Sequence, residues 1–141
     1  MNLGYLLRLG LGIGSLIAWE LAAASAGAAP LTTLERLAPD VYVYTGQDGD
    51  ANAGVVVGDE GVVVIDSSPT PETARRLAQE IKRLTPKPIL YVVFTHFHGD
   101  HTLSVHELAP TKGIIAHVYT KEYLSAHGAE HLKDYRARLG E

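Results

Sequence analysis

The stretch that decides the fold is an apolar run followed at once by a cluster of histidines: Ile89-Leu90-Tyr91-Val92-Val93-Phe94-Thr95-His96-Phe97-His98-Gly99-Asp100-His101. The apolar part is continuous and follows a helix-like segment, which predicts a central strand buried on both faces of a sheet. The polar part starts at the carboxyl end of that strand, where open α/β sheets place their ligands. A binding site is therefore expected at the histidines.

The segments upstream of this stretch predict strands and then one helix. The predicted strands cover residues 34–37, 41–44, 53–57 and 61–65. A glycine-bounded turn at residues 58–61 joins the last two as a hairpin. The helix begins after Thr70, which is suited to cap it, and Pro71 fits its first position. Its apolar positions recur at helical spacing and are Ala74, Leu77, Ala78, Ile81 and Leu84.

The segments after the histidines predict a short helix over 103–108, a strand over 113–116 and two further helices. The first of these helices runs from Thr120 through Ala126 and stops at Gly128, and the second covers 129–139. The resulting order ββββαβαβαα is typical of an α/β fold with a mixed sheet. A chain of 141 residues has room for one modest domain.

The histidine cluster has the spacing of a metal site. His96 and His98 are separated by one residue, so in an extended segment both side chains point the same way and can bind one metal ion. Asp100 and His101 are adjacent and can reach a second ion nearby. The chain has no cysteine, so thiolate ligands are excluded and imidazole and carboxylate donors remain. These donors suit a catalytic zinc site, and they do not exclude iron or manganese.

The motif from Thr95 to His101 resembles the signature of the metallo-β-lactamase superfamily. So does the order before it, in which a hairpin ending in Val62-Val63-Val64-Ile65-Asp66 is followed by a helix and a buried strand. The resemblance extends over about residues 34–124. It implies the αββα fold of that superfamily, with this chain forming the N-terminal αβ half.

The resemblance also implies a role for each site residue. His96 and His98 match the ligands of the first Zn²⁺, and Asp100 and His101 match those of the second, giving two zinc ions per complete site. Asp66, which by itself reads as a turn residue, matches an aspartate that lies beside the ligands and supports them without binding the metal. A zinc-bound hydroxide, held and oriented with the help of Asp100 as catalytic residue, would attack an ester, thioester, lactam or phosphodiester bond in a small-molecule substrate.

The chain departs from the family pattern downstream of His101. Relatives supply further histidine and aspartate ligands from a second αβ half, whereas Asp134 is the only aspartate after His101 here. The domain at 31–141 is therefore expected to be incomplete at its C-terminal side. It can be a fragment of a longer product, a half-domain completed by a second copy or another chain, or a non-catalytic metal-binding remnant.

The other histidines of the mature chain are expected to have surface or packing roles. These residues are His106, His117, His127 and His131. The resemblance agrees for His117, because relatives often carry a histidine there that is not a ligand.

The first residues predict an export signal. Arg8 precedes an uncharged stretch over residues 9–19, and the small residues Ala24-Ser25-Ala26 or Ala26-Gly27-Ala28 offer cleavage sites. Residues 1–28 are therefore predicted to be a signal peptide, and the protein to be periplasmic or secreted. The alternative is an uncleaved membrane anchor, which Glu20 opposes because it would lie near the middle of the span.

The charge of the chain argues against nucleic acid as a partner. The formal net charge is −4, and no run of basic residues is present. Contact with a membrane is expected only if the leader is not cleaved.

Overall fold

In the computed structural model, residues 34–46 and 51–139 are described, and they form a six-stranded mixed sheet with helices against it. The strands lie side by side in chain order and are β1 (Leu34–Ala38), β2 (Val41–Tyr44), β3 (Ala53–Val57), β4 (Val62–Ile65), β5 (Ile89–Phe94) and β6 (Gly113–Ala116). The helices are α1 (Pro71–Leu84), α2 (Gly99–Thr102) and α3 (Val118–Leu139), with a 3-10 helix at Val105–Leu108. This architecture confirms the predicted α/β fold class. The predicted signal peptide lies outside the described residues.

The sheet changes from antiparallel to parallel at β4. The pairs from β1 to β4 are antiparallel, and β3 and β4 are joined by the predicted hairpin, in which Gly58 N donates to Gly61 O at 2.8 Å. The strands β4, β5 and β6 are parallel. Parallel neighbours require a crossover, and α1 provides it between β4 and β5. The carboxyl ends of β4 and β5 therefore lie at the same edge of the sheet.

The core lies between one face of the sheet and the helices. Val55, Val64 and Val92 are fully buried there against Leu77 and Ile81 of α1. The 3-10 helix contributes the buried Leu108, and Leu124 of α3 packs against the same cluster. Fully burying an aliphatic side chain of this kind stabilises the fold by about 1.5–3 kcal/mol.

The residues that alternate with the core positions point to the opposite face of the sheet. Val56, Val63, Tyr91 and Val93 are only partly buried there. The prediction that β5 is buried on both faces is therefore wrong for the described chain, because the helices that contribute to the core all pack against one face. The opposite face is apolar and without such a cover among the described residues.

The helices also differ from prediction after the histidines. The interval predicted as one helix over 103–108 contains only the 3-10 helix, and α2 precedes it. The two helices predicted on either side of Gly128 are one continuous helix, α3. A single interior glycine costs a helix only about 1 kcal/mol relative to alanine, which the flanking turns can offset. The cap of α1 was predicted correctly, since Thr70 Oγ1 accepts from Thr73 N.

Within the part of the chain that the structure describes, no helix has both the length and the apolar character needed to cross a bilayer.

Candidate functional site

The histidine motif forms a tight turn between β5 and α2. The last core residue of β5 is Phe94, and the chain bends over residues 95–97 before α2 begins at Gly99. The turn is closed by backbone hydrogen bonds, since His101 N donates to His98 O at 3.1 Å. Thr102 Oγ1 donates to the same carbonyl at 3.0 Å. The fold therefore places the motif at the carboxyl end of β5.

The three imidazole rings of the motif lie next to one another. The ring centroids of His96 and His98 are 4.6 Å apart, and those of His96 and His101 are 4.1 Å apart. Asp100 joins the group, because its Oδ2 lies 3.3 Å from Nε2 of His101. The structure thus brings together all four residues that the sequence predicts as metal ligands.

Asp66 supports this group from the end of β4. The side chain of Asp66 is 6% exposed. Its backbone is in the left-handed region, with φ of 65°. Its carboxylate accepts from Thr95 N at 2.9 Å, from Thr95 Oγ1 at 2.8 Å and from His101 Nδ1 at 2.8 Å. A buried carboxylate is stable only when such donors compensate for lost hydration. Asp66 therefore holds both the motif backbone and one of its rings.

These hydrogen bonds select which ring nitrogens remain free. A carboxylate can only accept, so His101 Nδ1 carries the hydrogen that it shares with Asp66. Nε2, which lies 3.3 Å from Asp100 Oδ2, then carries a lone pair that can bind a metal. Thr95 Oγ1 donates its one hydrogen to Asp66 and must act as acceptor toward His96 Nδ1, 3.0 Å away. Nε2 of His96 is then free as well. One aspartate thereby orients two histidines, the second through Thr95.

Two further residues shape the turn. Ser67 is fully buried and donates to the carbonyl of His101 through its backbone N at 2.8 Å and its Oγ at 3.1 Å. Gly99 is buried. A Cβ added at this position would lie 2.7 Å from Leu103 Cδ1 and 2.9 Å from Tyr135 Cδ2. The glycine of the motif is therefore required for close packing of α2 against α3.

His96 has a perturbed acidity. Burial lowers its pKa below the ordinary value of a histidine, and the positive charges that His101 and His98 can carry lower it further. The carboxylates of Asp66 and Asp100 act in the opposite direction but do not offset these effects. A lower pKa keeps the imidazole neutral, which is the form that binds metal.

The donor set matches zinc in its chemistry, since imidazole and carboxylate are the usual ligands of catalytic zinc. The hydrogen bonds from Nδ1 of His101 and His96 are the kind that orient metal-binding histidines. In the described part of the chain, however, no three histidine, aspartate or glutamate side chains are arranged to hold one ion. The prediction assigns two protein ligands to each zinc ion. This stretch by itself would therefore leave the coordination of each ion incomplete.

Sequence reasoning missed the contribution of α3 to this region. A cavity of about 370 Å³ lies between the motif and α3 and is lined by His98 and Asp100 on one side and by His131 and Tyr135 on the other. His131, predicted to have a surface or packing role, is partly buried at this cavity. The signal was present in the sequence, because ring residues recur at every fourth position from 119 to 135. The sequence analysis divides these residues between two helices because it ends the first helix at Gly128, and so it does not recognise them as one row.

The other three histidines lie away from the cluster. His106 and His127 are exposed. His117 is also exposed, and its Nδ1 accepts from Tyr119 N at 3.2 Å.

Comparison with known proteins gives one family. A family model described as the metallo-beta-lactamase superfamily matches residues 46–140. Over 103 residues the chain is 31% identical to the alpha subunit of 2,4-dinitroanisole O-demethylase from Nocardioides sp. strain JS1661, a match covering 72% of this chain and 31% of that protein. Over 77 residues it is 35% identical to a type 2 metallo-beta-lactamase from Elizabethkingia meningoseptica, covering 50% of this chain and 31% of the relative.

A solved structure gives the same picture. A stereoselective inverting sec-alkylsulfatase from Pseudomonas sp. is similar with a TM-score of 0.56 and 28% sequence identity, covering 68% of this chain and 16% of that chain. The chain therefore spans about a third or less of the length of these relatives.

Proposed function

Because the chain belongs to the metallo-beta-lactamase superfamily, we propose that it forms the metal-binding N-terminal half of a zinc-dependent hydrolase. The family is one of hydrolases, and the relatives named above include a lactamase and an alkylsulfatase. The proposed substrate is a small molecule with an ester, thioester, lactam or phosphodiester bond, and the sulfatase adds a sulfate ester to this set. Iron or manganese in place of zinc is a variant of the same proposal.

One observation supports this function above the others. Three imidazoles and Asp100 are gathered at the carboxyl end of β5, and two of the rings are oriented through Nδ1 by hydrogen bonds that start from Asp66. Asp66 orients His101 directly and His96 through Thr95, so that Nε2 of both rings can bind a metal. Such an arrangement is not expected in a polar loop that binds no metal.

The residues divide the work as follows. His96 and His98 would hold a first zinc ion, and Asp100 and His101 a second. Zinc, when bound, supplies a Lewis acid that activates water and polarises the bond to be cleaved. Asp100 would also accept a hydrogen bond from the attacking water and so orient it. Asp66 and Thr95 keep the rings in position without touching the substrate.

The second candidate is an exported metal-binding half-domain that catalyses nothing until a partner completes it. The apolar sheet face that includes Val56, Val63 and Val93 favours this alternative, because it is only partly buried among the described residues. A further segment of a longer product, a second copy or another chain could cover it and supply the missing ligands.

Zinc titration tests the metal-binding part of the proposal. The chain is titrated against a chromophoric chelator, with His96→Ala and His98→Ala as variants and His106→Ala as a control. We expect both motif variants to bind zinc more weakly and the control to match the parent chain. Unchanged zinc binding in His96→Ala would refute the proposed site. Two tightly bound zinc ions per chain would refute its incompleteness.

Hydrolysis separates the two candidates. The zinc-loaded chain is assayed with nitrophenyl acetate, a nitrophenyl phosphodiester, nitrophenyl sulfate and a chromogenic β-lactam. Turnover that disappears with a chelator and in Asp100→Asn supports a hydrolase. Zinc binding without turnover of any substrate supports the non-catalytic half-domain.

We also propose that the protein is exported, with residues 1–28 as a cleaved signal. Expression of the whole chain in a bacterium, followed by fractionation and N-terminal sequencing, tests this. A mature form that starts after residue 26 or 28 and lies outside the cytoplasm is expected, whereas an uncleaved membrane-bound form would favour the anchor.

A further inference from the structure

A row of ring side chains winds along α3. They occur at every fourth position and are Tyr119, Tyr123, His127, His131 and Tyr135. Residues four apart lie next to one another on the same helix face. Phe97 of the histidine motif packs on this row, with its ring centroid 4.0 Å from that of Tyr123. Three members of the row, Tyr123, His131 and Tyr135, lie beside the candidate metal site.

The cavity of about 370 Å³ opens between this row and the motif. Phe97, Tyr123 and Tyr135 give it aromatic walls, and His98 and Asp100 border it on the motif side. A ligand in this cavity would thus contact two of the proposed zinc ligands. Phe97 and Tyr123 pack on each other with their centroids 4.0 Å apart, and the ring faces and edges that they present to the cavity favour a flat aromatic group lying against them.

The end of the cavity near the C-terminus of α3 is charged. Arg138 lines it, and no ion pair or hydrogen bond to Arg138 is present among the described residues. The guanidinium group keeps its charge at all relevant pH values and forms paired hydrogen bonds with carboxylate-like groups. His131 adds an Nδ1 atom that is buried and lacks a hydrogen-bond partner in the same described part. Asp134 lines the cavity as well and would repel an anion.

We propose that this cavity is the substrate-recognition pocket of the site, and that it binds an aromatic substrate carrying an anionic group, which pairs with Arg138. This inference rests on the proposed hydrolase function, because it assigns the pocket to the substrate of the reaction at His98 and Asp100. It names a feature of the substrate that the histidine motif does not define. Arg138 acts here in binding and makes no contact with the bond that is cleaved.

Benzoate is the probe that tests the pocket, with benzamide as its neutral counterpart of the same shape. Binding to the whole chain, freed of metal with EDTA, is followed by NMR shifts of Tyr123 and Arg138. We expect benzoate to produce saturable shifts at both residues and to bind more tightly than benzamide. Without metal, an anion has no zinc to bind, so the result does not depend on the zinc site.

Two variants of α3 test whether the charges at the cavity affect benzoate binding in opposite directions. Arg138→Gln should weaken benzoate binding by about tenfold, since a charge-assisted pair of hydrogen bonds is lost. Asp134→Asn should tighten it several-fold, because the opposing charge is removed. Arg136→Gln is the matched control: it makes the same change on the same helix, but Arg136 lies at a different cavity. Circular dichroism of each variant checks that it is folded.

The outcomes separate this inference from the proposed function. Failure of benzoate to bind, or equal weakening in Arg138→Gln and Arg136→Gln, would overturn the pocket and leave the zinc titration unaffected. Unchanged zinc binding in His96→Ala would overturn the proposed function while benzoate binding could still be measured. Shifts confined to residues outside the cavity would also reject the pocket.

Discussion

His101 Nδ1 donates to Asp66 Oδ2 at 2.8 Å across 35 positions of sequence. The contact exists because β4 and β5 are parallel neighbours, so that the residue after β4 and the turn after β5 meet at one edge of the sheet. Thr95 lies within the same contact and donates to Asp66 from both its backbone N and its hydroxyl. The pair thus couples the arrangement of the strands to the orientation of the motif.

Asp66→Asn should weaken zinc binding by about 10- to 100-fold, as expected when a hydrogen-bond partner of a metal ligand is lost. The amide has only one oxygen and cannot accept all three hydrogen bonds at once. Affinity is measured by competition with a chromophoric chelator. Asp59→Asn, in the exposed hairpin turn, serves as the control and should leave affinity unchanged. Equal affinity in both variants would contradict the role of Asp66.

Thr95→Val should release His96, because the hydroxyl that accepts from Nδ1 is removed while the shape of the side chain is kept. In the metal-free chain the ¹⁵N shifts of His96 are expected to change from one defined tautomer to a mixture. Thr95→Ser retains the hydroxyl and should preserve the parent spectrum. A defined Nδ1–H tautomer in Thr95→Val would show that the link from Asp66 through Thr95 is not needed.

His96 should titrate below the ordinary pKa of histidine in the metal-free chain, because burial and the neighbouring His101 and His98 oppose its charge. The folded chain then binds fewer protons at this residue than the unfolded chain. Its contribution to stability is present above the ordinary pKa and is lost as the pH falls through the window down to the lowered value. NMR titration of the ring measures this, and His101→Gln should raise the pKa. A pKa at or above the ordinary value would contradict the prediction.

Two glycines should respond in opposite directions to alanine. Gly128→Ala places a methyl group in open space inside α3 and should stabilise the chain by about 0.5–1 kcal/mol. Gly99→Ala forces a Cβ against Leu103 and Tyr135 and should destabilise it by about 1–3 kcal/mol. Both are read from urea unfolding. Stabilisation by Gly99→Ala would mean that α2 and α3 are not closely packed.

Much of the fold could be predicted because its signals are local. Alternating Val and Tyr residues predicted β2, the glycine-bounded turn predicted the β3–β4 hairpin, and Thr70 with Pro71 predicted the start of α1. Each of these patterns depends on residues that are neighbours in sequence. The errors arose where local signals conflict with packing. Gly128 is typical of a helix end but lies inside α3, and the continuous apolar run of β5 is typical of a strand buried on both faces, whereas the helices cover only one of them.

The sequence by itself determined the family and the strand that leads into the motif, and it predicted the four donors His96, His98, Asp100 and His101, because the identity and spacing of these residues are already specific. Only the tertiary structure decided how the donors are oriented and what surrounds them. The contacts of Asp66 with Thr95 and His101, and the cavity between the motif and α3, join segments that periodicity cannot relate. They depend on which strands are neighbours and on where a long helix returns, and both follow from packing of the whole domain.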